Sequence, residues 1–250
     1  MNYTNRFYRK WIDESNLQSF NVKIRETDLQ IRADRDLTRE AGILIGRYRN
    51  DIENYIKRFP DFQNSLIPIQ KAKGHLNCQP IDRPEIINAM LLASVKTGVG
   101  PMAAVAGAVS EFVGKGLRQF SREMIIENGG DIYIDSQQKR IVSIFAGHHS
   151  PFNNRLGIEL LPEQMPLGIC TSSGTVGPSI SFGNSDAAIV LSSNTPLADA
   201  LATQLGNCLI EQTQFEEILN LGMSIEGIFG VILIMGERIG IKGAIRLLTI

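Results

Sequence analysis

Gly100-Pro101-Met102-Ala103-Ala104 and Thr195-Pro196-Leu197-Ala198-Asp199 open two helices made mostly of small residues. In each, proline takes a first-turn position, where its missing N–H is not needed. The first helix leads to an Ile-rich strand and a hairpin ending near Phe145. The second continues past Glu216 to Leu221 into a strand that turns at Gly236-Glu237 and returns through Ile239 to Leu248. Two helix-then-hairpin units predict an internal duplication. The fold class expected is α+β, with duplicated helix-plus-antiparallel-hairpin units forming sheets covered by helices.

Outward from that core, Phe20, Val22 and Ile24 alternate with polar residues, and Leu29, Ile31 and Ala33 repeat the pattern after Glu26-Thr27-Asp28. Period two predicts a β-hairpin. Asp36 is the expected N-cap of a helix that places Leu37, Ala41, Leu44, Ile45, Tyr48, Ile52, Tyr55, Ile56 and Phe59 on one face until Pro60 stops it. Asn64 to Arg83 carries prolines and no period, so it reads as a connection, and Ile86 to Val95 reads as a second helix. The whole chain, 1–250, is expected to form a single domain. Residues 1–64 supply the N-terminal hairpin and helix, and 98–250 the duplicated core that carries the site.

A formal charge of −1 leaves no basic excess for nucleic acid. Arg32, Arg35, Arg39, Arg47 and Arg49 alternate with acids and read as a solvated, salt-bridged face. The first residues hold no apolar signal region, and the apolar run Ile228 to Met235 is too short for a bilayer and broken by Gly230. Cys78, Cys170 and Cys208 form no paired motif. These features predict a cytoplasmic protein with no membrane or nucleic-acid partner.

Three segments carry candidate chemistry. Glu127-Asn128-Gly129-Gly130-Asp131 joins two apolar strands. Its glycines allow positive φ and close backbone approach, and Asn128 and Asp131 offer amide and carboxylate groups. A bare hairpin turn favours the same letters. Gly168-Ile169-Cys170-Thr171-Ser172-Ser173-Gly174-Thr175-Val176-Gly177 reads as a glycine-rich loop whose hydroxyls and N–H groups suit phosphate or carboxylate oxygens, or else as plain surface. On the second small-residue helix, Asp199 and Thr203 stand four apart and share a face. Carboxylate plus hydroxyl makes a partial oxygen site for Mg²⁺, sensible beside a positive helix start mainly when the cation bridges to an anionic ligand. The competing reading is an ordinary helix-start acid.

Taken in order, Asn128-x-Gly130-Asp131, Thr171-Ser172-x-Gly174 and Ala198-Asp199-Ala200-Leu201-Ala202-Thr203 resemble the ApbE-like superfamily, over roughly Gly98 to the C-terminus. Its best-known members are flavin transferases that use FAD and Mg²⁺ to attach FMN to a threonine of a target protein. The resemblance implies Asp199 and Thr203 as metal ligands. It places Asn128, Gly129, Gly130 and Asp131 with Thr171, Ser172, Ser173, Gly174 and Thr175 around a ligand, for which FAD or FMN is the family-implied candidate. Where flavin transferases carry His-hydrophobic-hydrophobic-Asp-Pro, this chain reads Ser179-Ile180-Ser181-Phe182-Gly183-Asn184-Ser185-Asp186. Instead, Gly98-Val99-Gly100-Pro101-Met102-Ala103-Ala104-Val105-Ala106-Gly107 and Cys170-Thr171-Ser172-Ser173-Gly174-Thr175-Val176-Gly177 are similar to an uncharacterised cytosolic branch, some of whose archaeal members are associated with sulfur assimilation into homocysteine. The expectation keeps the scaffold rather than the flavin transfer, with Gly98, Gly100, Pro101 and Met102 lining the ligand cradle and the free N–H groups between Gly100 and Ala103 facing its oxygens.

His148, in Gly147-His148-His149, ends a predicted strand, where it reads as a general base, a metal ligand or a surface residue. Cys170 opens the hydroxyl-rich loop, as a nucleophile or persulfide carrier whose thiolate the flanking N–H dipoles would favour, or as a small core residue. Three functions follow: binding of an anionic, phosphate-bearing small molecule with Mg²⁺, with or without transferase chemistry; sulfur transfer through Cys170; and a non-catalytic scaffold, including a homodimer.

Overall fold

A computed structural model describes residues 17–69, 83–147, 150–174 and 183–250. The alternation at the N-terminus gives β1 (Gln18–Ile24) and β2 (Thr27–Ala33), paired antiparallel with Phe20 opposite Ile31 and Val22 opposite Leu29. The link is tighter than the sequence predicts. Ile24 already pairs with Thr27, and Arg25 makes the turn at φ 53°. Helix α1 (Thr38–Arg58) follows. Asp36 is not its cap: it sits one residue outside Leu37, and its Oδ1 accepts the Thr38 N–H at 2.8 Å. The short α2 (Asp61–Asn64) starts at Pro60. Of the expected connection, residues 70–82 lie outside the described chain. Helix α3 (Glu85–Thr97) ends at Gly98, whose φ of 77° forms a left-handed cap. A 3₁₀ turn (Pro101–Ala104) then enters α4 (Val105–Leu117).

The next strands are β3 (Met124–Asn128), β4 (Asp131–Asp135), β5 (Arg140–Ser143), β6 (Leu156–Leu160), β7 (Leu167–Ser172) and β8 (Ala187–Ser192). Helices α5 (Thr195–Cys208) and α6 (Phe215–Met223) precede β9 (Ile228–Met235), β10 (Arg238–Gly243) and β11 (Arg246–Thr249). Eight strands form one antiparallel sheet in the order β1-β2-β3-β4-β7-β8-β9-β10, and β11-β6-β5 form a second. The chain is a mixed fold of helices on antiparallel sheets.

The repeat is larger than the sequence predicts. Each half runs hairpin, helices, hairpin, single strand: β1-β2, α1 to α4, β3-β4, β5, and then β7-β8, α5-α6, β9-β10, β11. Two segments hid this. The stretch around Cys170, expected as loop, is the buried strand β7. The return strand from Ile239 to Leu248 is two strands, broken where Gly243 adopts φ 100°, and β11 leaves the large sheet to pair with β6.

Strand alternation assigns the two faces of the large sheet. Ile125, Ile169, Ile189 and Ile232 point at the small sheet, where they meet Val142, Ile158 and Leu160. Their neighbours point the other way. Met124 and Ile126 pack beneath α1, α3 and α4 with Ile45, Met90 and Val113. Cys170, Val190 and Val231 pack beneath α5 and α6 with Leu201, Leu205 and Ile218. The helical layer thus has two halves, and α4 and α5 meet over the centre of the sheet. Arg32 departs from the expected solvated face, being buried in β2, whereas Arg49 bridges Glu26 and Glu53 as that reading predicts.

Candidate ligand and metal site

Close helix contact creates the site. A Cβ on Gly107 would lie 2.6 Å from the Thr195 carbonyl oxygen and 2.9 Å from Asp199 Cβ, so only glycine lets α4 approach α5 this closely. The approach delivers the first turn of α4 to Asp199, whose Oδ2 accepts the Gly107 N–H at 2.8 Å. The Ala106 N–H bonds the same carboxylate. One turn along, Glu111 accepts the Thr195 N–H at 2.6 Å and Lys115 Nζ at 2.6 Å, which pins the start of α5 to α4.

The β3-β4 hairpin reaches the same place. Gly129 and Gly130 turn at φ 70° and 108°, the two-residue link that needs positive φ at both positions. Asn128 Nδ2 donates to the Ala106 carbonyl at 3.2 Å, and Ser110 Oγ donates to the Ala106 and Asp131 carbonyls at 3.0 and 3.2 Å. Asp131, opposite Asn128, is 7% exposed, and its carboxylate accepts the Cys170 thiol and the Thr171 N–H. Its Oδ1 is buried with no hydrogen-bond partner among the described residues. Strand β7 then runs under α5: a Cβ on Gly206 would touch Ser172 Oγ at 3.2 Å and Ser185 Oγ at 3.5 Å. Asp199, Thr203 and Gly206 lie on one face of α5, so Asp131, Thr171, Ser172 and Ser185 line its length.

Electrostatics mark the centre. Burial pushes the Asp131 carboxyl up to about 7, against the thiol and N–H bonds that lower it, with Glu127 adding to the rise. Burial also raises Asp199 well above the carboxylate range, and the neighbouring Asp131 charge adds to this. Two buried carboxylates without a cation repel one another and favour a shared proton or a bound metal.

The expected residues thus fall into groups. Asn128, Gly129, Gly130, Asp131, Thr171, Ser172 and Asp199 converge, with half-buried Thr203 one turn beyond Asp199. Ser173 and Gly174 follow at the end of β7, where the Gly174 N–H donates to the Ser185 carbonyl at 2.8 Å. Gly98 lies beside α5, 4.0 Å from Gln204 Nε2 as its Cβ would be built. The Gly100 to Ala103 turn does not offer the expected row of N–H donors. Pro101 has none, the Ala103 N–H bonds the Gly100 carbonyl, and Gly100 packs on Ser65, where a Cβ would meet the carbonyl oxygen at 1.8 Å; Met102 is half-buried. The N–H groups of Ala106 and Gly107 at the start of α4 go to Asp199. Thr175 and His148 lie outside the described residues.

Of its two readings, Cys170 takes that of a small core residue. It lies inside β7, fully buried, its Sγ donating to the Thr195 carbonyl at 3.5 Å and lying beside the Asp131 carboxylate. Burial, then the charges of Asp131 and Asp199, raise its pKa well above the thiol range, so it is a protonated donor rather than a thiolate. A cleft of about 350 Å³ between α3, α4 and the start of α5 holds none of the converging residues. Sequence reasoning missed Gly107, Ser110, Ser185 and Gln204. Gly107 had a signal in the run of small residues that opens α4; the others look like any polar residue.

The family model described as AbpE bacteria matches residues 9–219. This chain belongs to that ApbE-like family. Two UPF0280 proteins of its branch are similar over most of their length. That of Methanocella arvoryzae is 38% identical over 222 residues, 88% of this chain and 86% of its own. That of Methanosarcina acetivorans is 38% identical over 232 residues, 92% and 88%. Among solved structures, a mutant of the flavin transferase ApbE from Vibrio cholerae superposes with a TM-score of 0.56 at 10% identity, covering 92% of this chain and 98% of that one. The unmutated protein gives 0.51 at 11%, covering 90% and 96%. At such identity the likeness establishes the ApbE fold. No helix among the described residues is long and apolar enough by itself to cross a membrane.

Proposed function

We propose that this ApbE-like protein binds an anionic, phosphate-bearing small molecule of the flavin nucleotide class together with Mg²⁺, between α4, α5 and the β3-β4 hairpin. One observation carries the reading. Three segments far apart in sequence bring Asp131, Thr171 and Asp199 together, and one buried carboxylate oxygen there has no partner among the described residues. The donor set is all oxygen, as Mg²⁺ requires, and the orphaned oxygen is what a resident cation would use. Asp199 and Thr203 would hold the metal, which when bound neutralises ligand phosphates and polarises their oxygens. The chain's own part is positional. The Ala106 and Gly107 N–H groups fix one face of Asp199, Cys170 and the Thr171 N–H fix Asp131, and Gly130 leaves space beside the Thr171 carbonyl, its Cβ position being 3.8 Å away. The named ApbE proteins are flavin transferases, which supports the flavin class; transfer chemistry is not part of this reading.

Thermal melting with FAD, FMN or a plain nucleotide, each with and without Mg²⁺, tests it. At about a hundredfold excess over Kd, ligand linkage stabilises by about 2.7 kcal/mol, which for a chain of this size raises Tm by about 5–10 °C. Asp199→Ala should abolish the Mg²⁺-dependent part of that shift. No shift with any flavin or nucleotide in the wild type would sink the proposal.

A further inference from the structure

Most other buried carboxylates here have a cation. Glu111 has Lys115 at 2.6 Å, Glu123 has Arg140 at 2.8 Å, and Glu159 has Lys139 at 3.2 Å and Arg246 at 2.9 Å. Asp131 and Asp199 are as deeply buried, at 7% and 8% exposure, and no lysine or arginine among the described residues pairs with either. A buried charge is ordinarily paired, hydrogen-bonded or bound to metal. Asp199 has two backbone N–H donors. Asp131 has the Cys170 thiol and the Thr171 N–H beside its carboxylate, and its buried Oδ1 has no hydrogen-bond partner among the described residues. Among the described residues, one oxygen of a buried carboxylate is thus left open to a bound group, next to a second carboxylate.

We propose that Asp131 is a direct ligand of the divalent cation held by Asp199, contributing its unpartnered Oδ1 to a two-carboxylate oxygen site. The inference rests on the metal half of the function proposed above and adds a consequence. With one carboxylate, the positive starts of α4 and α5 disfavour a bare cation, so metal and anionic ligand must enter together. Two carboxylates reverse that balance, and the cation binds first. Once it is in place, the anionic ligand meets a cation instead of two acids. Ligand therefore depends on metal more than metal depends on ligand in order of binding, while their mutual coupling stays reciprocal.

The test is a titration of the full-length protein with Mn²⁺, read by electron paramagnetic resonance, without nucleotide and again with FAD. Wild type should bind Mn²⁺ unaided, Asp199→Asn should not bind it, and Asp131→Asn should bind about tenfold or more weakly. Asp131→Ser runs in parallel, and each variant is scored only if it melts cooperatively. If folded Asp131 variants bind Mn²⁺ within about twofold of wild type while Asp199→Asn loses it, the inference is overturned and the Asp199 site stands. Binding of Mn²⁺ by wild type only in the presence of FAD also overturns it, because the second carboxylate then adds nothing to a bare cation. If wild type binds Mn²⁺ under neither condition, the metal half of the proposed function falls with it.

Discussion

The β3-β4 hairpin has a buried carboxylate at each end, and the two are built in opposite ways. At the open end, Glu123 accepts from Ser136, Arg140 and the Gln137 N–H, and Arg140 Nε also donates to Ser136 at 2.9 Å. Burial pushes the Glu123 carboxyl up, but those bonds outweigh it and hold it below its ordinary value. At the turn end, Asp131 has a thiol, one N–H and a neighbouring acid, and burial wins. Hairpin and depth are shared; the supply of positive charge differs. A carboxylate with a built-in cation holds a fold together. One without a cation is a standing cost, tolerated where something else is meant to bind.

The largest test of that contrast is Arg140→Ala, which leaves Glu123 buried and unpaired. We expect a loss of about 3–5 kcal/mol in urea unfolding, with no effect on ligand-induced stabilisation. A fall of under about 1 kcal/mol would show that the Glu123–Arg140 pair does not hold the fold together. Next comes Gly107→Ala, where the new methyl meets the Thr195 carbonyl and Asp199; overpacking of about 2–3 kcal/mol should appear in the melt, together with weakened Mg²⁺ response. At the other end, Asp131→Asn should stabilise the metal-free protein by about 1–2 kcal/mol at neutral pH, since it removes a repelled charge. Equal stability of variant and wild type there would erase the contrast.

The pH dependence has opposite signs at the two ends. Glu123, held low, contributes stability that is present above the ordinary carboxylate pKa and is lost as pH falls through its folded value. Asp131, held high, withdraws stability as pH rises from the ordinary carboxylate range to about 7. The gap between Asp131→Asn and wild type should therefore open across that window in chelator and close in Mg²⁺. The smallest effect is Gly129→Ala: its Cβ meets nothing within 4 Å, so only the φ of 70° opposes it, at about 1 kcal/mol.

The fold was legible where one period ran uninterrupted. Phe20, Val22 and Ile24 announced β1, and the apolar face of α1 read correctly to its last turn. β7 was hidden because Gly168, Thr171, Ser172 and Ser173 are loop letters; Gly168 is there because a Cβ would collide with Thr195 at 2.7 Å, a contact no local pattern records. The same holds for the site. Asp131, Thr171 and Asp199 stood out by type and motif, but the protonated state of Cys170 depends on carboxylates brought from β4 and α5. Spacing along the chain carries no information on that proximity.

The three-stranded sheet gives the chain a late checkpoint. Its middle strand, β6, is bonded on one side by β5 from the first repeat and on the other by β11, the last strand of the second. Ile250 adds a bond from its N–H to the Arg155 carbonyl at 3.1 Å. The seal over Ile125, Ile169, Ile189 and Ile232 can close only after both repeats have been synthesised and have docked. Contacts of such sequence separation form slowly, so completion of the small sheet over the isoleucine face waits on the pairing of Arg246–Thr249 with β6.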